Sequence, residues 1–147
     1  MKDLLYLNDD QIKDFIEQIF YAYKKTYNDP RNILNKYSFG TAHHRAISLI
    51  ERNEGVTISG LLSKLEVTKQ SLNRVLRELK RLKIVKQIKD TQDTRKKLLY
   101  LDRNGKEFYD KIFETQKKRI FNALKDSDSE SVIHFKEVLK KIVNGKK

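Results

Sequence analysis

The sequence contains no cysteine, so disulfides, thiolate catalysis, cysteine zinc sites and direct thiol redox sensing are excluded together. Long apolar runs are also missing. No stretch approaches the ~18 consecutive apolar residues of a membrane span, and the start, Met1-Lys2-Asp3-Leu4-Leu5, has no signal-peptide pattern; a cytoplasmic protein is expected. Glycine is sparse, at five residues, and forms neither a P-loop nor a dinucleotide-binding pattern. The single proline, Pro30, lies in Asn28-Asp29-Pro30, which reads as a turn ending a helix. No repeat, low-complexity tract or Pro/Gly/Ser linker divides the chain, so one domain over residues 1–147 is expected. Nor is there a nucleophile–base pair, and most serines and threonines fall at helix caps. Neither catalysis nor a cofactor is expected.

What is present is positive charge, unevenly placed. The chain carries a net +12. Residues 1–56 balance eight basic against eight acidic side chains, whereas residues 57–97 hold twelve basic and four acidic, a net +8. Lysine-rich proteins can owe such a balance to solubility alone. Two thirds of the excess within 41 consecutive residues points instead to a polyanionic partner.

The coarse plan is six helices with one small β-hairpin between the fourth and fifth. Asn8 caps the first helix, with Gln11 three residues on as in a capping box and Leu7 and Ile12 at the staple positions. Ile12, Phe15, Ile16, Ile19, Phe20 and Tyr23 share one face of it, suited to a core or a subunit interface. A second helix is read over residues 39–53. Thr57 and Thr68 then cap two helices, residues 58–65 and from Thr68 to about Leu82. Residues 84–88 and 97–101 read as strands around a polar loop, Asp102 caps a long helix to about Lys125, and Ser127-Asp128-Ser129-Glu130 reads as a capping box opening the last. The seven tyrosines and seven phenylalanines mostly follow helical spacing and read as core.

Two helices joined by a tight turn and followed by a hairpin make a winged helix-turn-helix. On the second of these helices Leu72, Val75, Leu76, Leu79 and Leu82 cluster on one side, and Lys69, Gln70, Asn73, Arg74, Arg77, Lys80 and Arg81 on the other. Guanidinium and amide groups match the base edges of the major groove, Arg onto guanine and Asn or Gln onto adenine. Free backbone N–H groups near Thr68–Ser71, at the positive helix end, suit a phosphate. Any surface helix shows charges opposite leucines. No acid occurs from Lys69 to Arg77, however, whereas an ordinary solvated face mixes signs. Thr68, Lys69, Gln70, Ser71, Asn73, Arg74 and Arg77 are therefore the candidate groove and phosphate contacts on double-stranded DNA. Lys89, Arg95 and Lys96 are the candidates from the hairpin, which also carries Lys86 and Lys97. Asp93 reads as a positioning carboxylate for Arg95 or for an arginine of the recognition helix.

From Phe39 to Gly105 the chain resembles the MarR family of bacterial winged-helix regulators. The residues that carry the resemblance are Val56-Thr57-Ile58-Ser59-Gly60-Leu61-Leu62, Leu65-Glu66-Val67-Thr68-Lys69-Gln70-Ser71-Leu72-Asn73-Arg74-Val75, Leu79 and Ile84-Val85. Asp93-Thr94-Arg95 matches the family's Asp-x-Arg wing pattern, and Leu101-Asp102-Arg103-Asn104-Gly105 is close to its Leu-Thr-x-x-Gly. The resemblance implies a mainly α fold: a winged helix-turn-helix over residues 39–101 and a helical dimerisation region from residues 8–36 and 102–145. It also implies a homodimer, a repressor on a pseudo-palindromic operator, and for many members release by a small anionic or phenolic effector. Lys83 stands where the family usually ends the recognition helix with glycine, so either a non-glycine residue turns left-handed there or the helix ends differently. Glu66 occupies the turn of the motif, where glycine is common. Asp102 replaces a threonine, and both cap well.

His43, His44 and His134 are the only histidines. Adjacent residues on a helix point ~100° apart, so His43 and His44 do not chelate one ion together. They read as partly buried histidines, either of which could line an effector cleft, and no metal is expected. The alternatives are a non-specific architectural DNA binder and a winged-helix protein-interaction module. RNA binding is disfavoured because the aromatics form helical stripes and no stacking platform.

Overall fold

Local caps set most helix starts. In the computed structural model, which describes residues 4–145, a 3₁₀ turn at Leu5–Leu7 leads into α1 (Asp9–Asn28), where Asn8 accepts from the Gln11 N–H. The chain continues through α2 (Arg31–Asn35), α3 (Thr41–Arg52), β1 (Val56–Thr57), α4 (Ile58–Leu65), α5 (Lys69–Arg81), β2 (Val85–Lys89), β3 (Lys97–Leu101), α6 (Arg103–Lys125) and α7 (Ser129–Asn144). Met1, Lys2 and Asp3, which carry the start of the leader reading, lie outside the described residues. The chain is mainly α, with seven α-helices among them and a small antiparallel sheet in the order β1-β3-β2.

Four sequence expectations need correction. The irregular piece after α1 contains the short helix α2. The helix expected from residue 39 starts at Thr41, because Gly40 is extended and Phe39 is drawn into the core, only 3 % exposed. The hairpin has a third strand: Val56 and Thr57 pair with Leu99 and Leu98, while β2 runs Val85↔Leu101 to Lys89↔Lys97. The cap of α7 is Asp128, which accepts from both the backbone and hydroxyl of Ser131, whereas the Ser127 hydroxyl donates back to the Ala123 carbonyl.

The core lies where α3, α4, α5, the sheet and the start of α6 meet. Ala46, Ile47 and Ile50 of α3 pack with Leu61, with Leu72, Val75, Leu76 and Leu79 of α5, and with Leu99 and Ile112. The aromatics depart from their reading as core. Phe39 and Phe108 are buried, but Phe15, Phe20, Tyr21, Tyr23, Phe113, Phe121 and Phe135 are exposed, as are Ile133, Val138 and Ile142 of α7. Their helical spacing is real, but the faces they form on α1, α6 and α7 are not covered within one chain.

Candidate nucleic-acid interface

The basic face of α5 is projected by a helix fastened at both ends. At the start, the Thr68 hydroxyl oxygen accepts from the Ser71 N–H at 3.1 Å. That N–H is therefore spent, which leaves the N–H groups of Lys69 and Gln70 as the ones at this end with no intrahelical acceptor. The turn before it is made by Glu66 in the left-handed region, φ 55°. At the far end Leu82 closes the helix and Lys83 takes φ 58°. Ile84 N–H then reaches the Leu79 carbonyl (2.9 Å) and Lys83 N–H that of Lys80 (3.0 Å). This is a complete Schellman closure, so the helix ends as a glycine would end it, at the strain cost of a lysine.

Between these ends, Leu72, Val75, Leu76 and Leu79 are buried. Thr68, Lys69, Gln70, Asn73, Arg74 and Arg77 are exposed along the opposite side, with Ser71 half-buried at its edge. The helix thus presents guanidinium and amide groups outward, as major-groove reading requires. Lys80, further along, donates to the Gln87 side chain at 3.0 Å and ties the helix to the wing.

The wing projects Lys89, Arg95 and Lys96, all exposed. Its tip is built by backbone bonds from Asp90 N–H to the Lys96 carbonyl (3.0 Å) and from Lys96 N–H to the Asp93 carbonyl (2.9 Å). Asp93 accepts from the Arg95 N–H at 3.1 Å and lies 3.4 Å from its Nε. Of its two candidate partners, Asp93 pairs with Arg95. The Arg95 side chain is 92 % exposed, so the pair holds its guanidinium toward solvent.

The histidines play separate parts. His134 is exposed beside Glu137. Among the described residues there is no group of three His, Asp or Glu side chains placed to hold a metal ion. His43 bonds Glu78 of α5 across 35 positions of sequence. Sequence reading missed this link, although Glu78, the lone acid between Lys69 and Arg81, is its trace. His44 is 1 % exposed, more deeply buried than its reading as a partly buried residue. It packs against Tyr27, whose hydroxyl accepts from Arg45, and its Nε2 has no hydrogen-bond partner. Burial pushes its pKa down to about 4 from 6.5; the Arg45 guanidinium acts in the same direction and Gln116 opposes it.

A histidine held neutral by the fold favours the folded state above its unfolded pKa, and that advantage disappears as pH falls through the folded value. Denaturant unfolding is therefore expected to show stability declining from pH 6.5 toward about 4, by roughly 3 kcal/mol in all. A His44→Phe variant should lose that slope. The same slope in the variant would place its origin elsewhere.

Residues 37–96 match the model of the MarR family. Over 141 residues the chain is 38 % identical to the HTH-type transcriptional regulator PetP of Rhodobacter capsulatus, covering 96 % of this chain and 85 % of that protein. Among solved structures, a MarR-family transcriptional regulator from Silicibacter pomeroyi superposes with a TM-score of 0.77 at 18 % identity, covering 99 % of this chain and 97 % of the other. NadR in complex with 4-hydroxyphenylacetate gives 0.73 at 22 % identity, over 88 % and 92 % of the two chains. At these identities the structures establish a shared fold, and the kinship with PetP carries the family. This chain belongs to the MarR family of DNA-binding transcriptional regulators.

Proposed function

We propose that the protein acts as a homodimeric repressor that reads a pseudo-palindromic operator. The observation that carries this reading is α5, buried along one side and presenting Lys69, Gln70, Asn73, Arg74 and Arg77 on the other. Two copies would place their α5 helices in successive major grooves about 34–36 Å apart. The free N–H groups of Lys69 and Gln70 at the helix start would meet phosphate, with the Thr68 and Ser71 hydroxyls beside them, and Lys89, Arg95 and Lys96 would reach the flanking backbone or minor groove, with Asp93 orienting Arg95. The uncovered apolar faces of α1, α6 and α7 supply the surface for a second copy. Release by a small effector, which the family resemblance implies, would act at the junction of α1, α3 and α6, beside Tyr27, His44, Arg45 and Gln116, and the unsatisfied Nε2 of His44 supports that choice.

Titration against the DNA upstream of the protein's own gene and against random duplex, at two salt concentrations, tests the reading. Tight, selective binding is expected. Weak, equal and steeply salt-dependent binding would indicate an architectural binder. Arg74→Ala is expected to cost about 1–3 kcal/mol on the specific site and much less on random DNA. An equal loss on both would remove Arg74 from base reading.

A further inference from the structure

Glu78 is the only carboxylate on α5. It lies four residues after Arg74 and three before Arg81, the spacings at which opposite charges on a helix meet. Among the described residues it is ion-paired with neither. Its Oε2 instead lies 2.7 Å from His43 Nε2, at the start of α3. The other side of the ring fixes which atom donates. His43 Nδ1 accepts the Gly40 N–H at 3.1 Å, and a neutral imidazole that accepts at one nitrogen carries its proton on the other. The ring is also held in place, stacked on Phe39 at 4.5 Å and 9°. Phe39 in turn meets Phe108 of α6 edge-on.

We propose that His43 is a positioning residue for DNA binding. It draws the Glu78 carboxylate back against α3 and so keeps the arginines one turn away on α5, Arg81 toward phosphate and Arg74 toward the bases, available to nucleic acid. The proposal rests on the reading of α5 as the DNA-reading helix. Without the imidazole, the half-buried carboxylate loses the side-chain partner it has among the described residues, and Arg74 and Arg81 stand one turn away on its own helix. An arginine paired there is lost to phosphate or base, and the negative charge opposes the approach of the duplex.

The test uses the full chain and a fluorescein-labelled random-sequence duplex, titrated over a series of salt concentrations. His43→Ala is expected to weaken binding about tenfold and to flatten the slope of log affinity against log salt by about one, the loss of one phosphate contact. Adding Glu78→Gln to the same chain removes the freed charge and is expected to restore both affinity and slope. Because the single and double variants lack the same imidazole, a packing defect would weaken them alike. His43→Phe, which keeps a ring against Phe39, gives the same comparison should the alanine variant not fold. Wild-type binding by the single variant, or a double variant as weak as the single, overturns the proposal. Failure of the unmodified protein to bind any duplex would instead overturn the DNA reading on which it rests.

Discussion

A Phe20→Glu variant is expected to sediment as a monomer and to bind operator DNA about two to four orders of magnitude more weakly than the wild type. Phe20 lies mid-way along α1, 50 % exposed, in a stripe with Phe15, Ile16, Ile19 and Tyr23 that is also exposed. Ile120, Phe121 and Leu124 of α6 and Ile133, Val138 and Ile142 of α7 are likewise exposed. Exposed large apolar side chains gathered on one helix face are what a subunit interface would cover, and a phenylalanine buried there would contribute ~1.5–3 kcal/mol. A carboxylate in its place must be desolvated without a partner in each of two symmetric copies. On the proposed dimer reading, DNA binding would suffer because one duplex would engage one α5 helix at a time, and the second contact would cease to be intramolecular. Sedimentation and operator titration read the two effects together. A variant that stays dimeric with undiminished affinity would show that the α1 stripe lies outside the subunit interface.

The second large effect is on folding. Gly105→Ala is expected to destabilise the chain by about 3 kcal/mol, at the upper end of what overpacking costs, lowering the melting temperature by roughly 10 °C. A Cβ at position 105 would overlap the backbone carbonyl oxygen of Ile84. That carbonyl accepts the Asp102 N–H at 2.9 Å, so backbone with a bonded partner would have to move, and no flexible side chain is there to yield. Gly40 is the internal contrast, since a Cβ there meets nothing within 4 Å. Thermal unfolding of Gly105→Ala beside Gly40→Ala checks the difference; similar melting temperatures would mean that α6 can shift away from Ile84 at little cost.

What was legible in the sequence was local. Asn8, Thr57, Thr68 and Asp102 cap helices as read, because a capping side chain and its N–H lie within three residues of each other. The two faces of α5 followed from helical spacing, and the wing from two β-rich runs around a polar loop. What escaped depends mostly on distant partners. β1 is two residues long, and its pairing with β3 lies some forty residues away. Ser127 and Asp128 could each have capped α7, and which one does so depends on the Ser127 hydroxyl turning back to α6. Periodicity showed that the helix faces carrying Phe15, Phe20 and Phe121 are apolar, but it could not say whether this chain or another covers them. The His43–Glu78 bond joins elements with no common local pattern. Of the residues read as DNA contacts, Ser71 is the one whose setting shifts the reading, because its N–H already serves the cap.

The contact at Ile84 has a mechanical consequence. The end of α5, the root of the wing and the first turn of α6 are fastened at one point, by Leu79 to Ile84, Ile84 to Asp102 and the close seat of Gly105. A tilt of α6 would therefore draw the end of α5 and the root of the wing with it, like a caliper arm with no joint at the jaw. In the proposed dimer, the gap between the two jaws would then be set at the helical hub, and an operator lengthened by a base pair between its half-sites would find no joint at Ile84 to accommodate it.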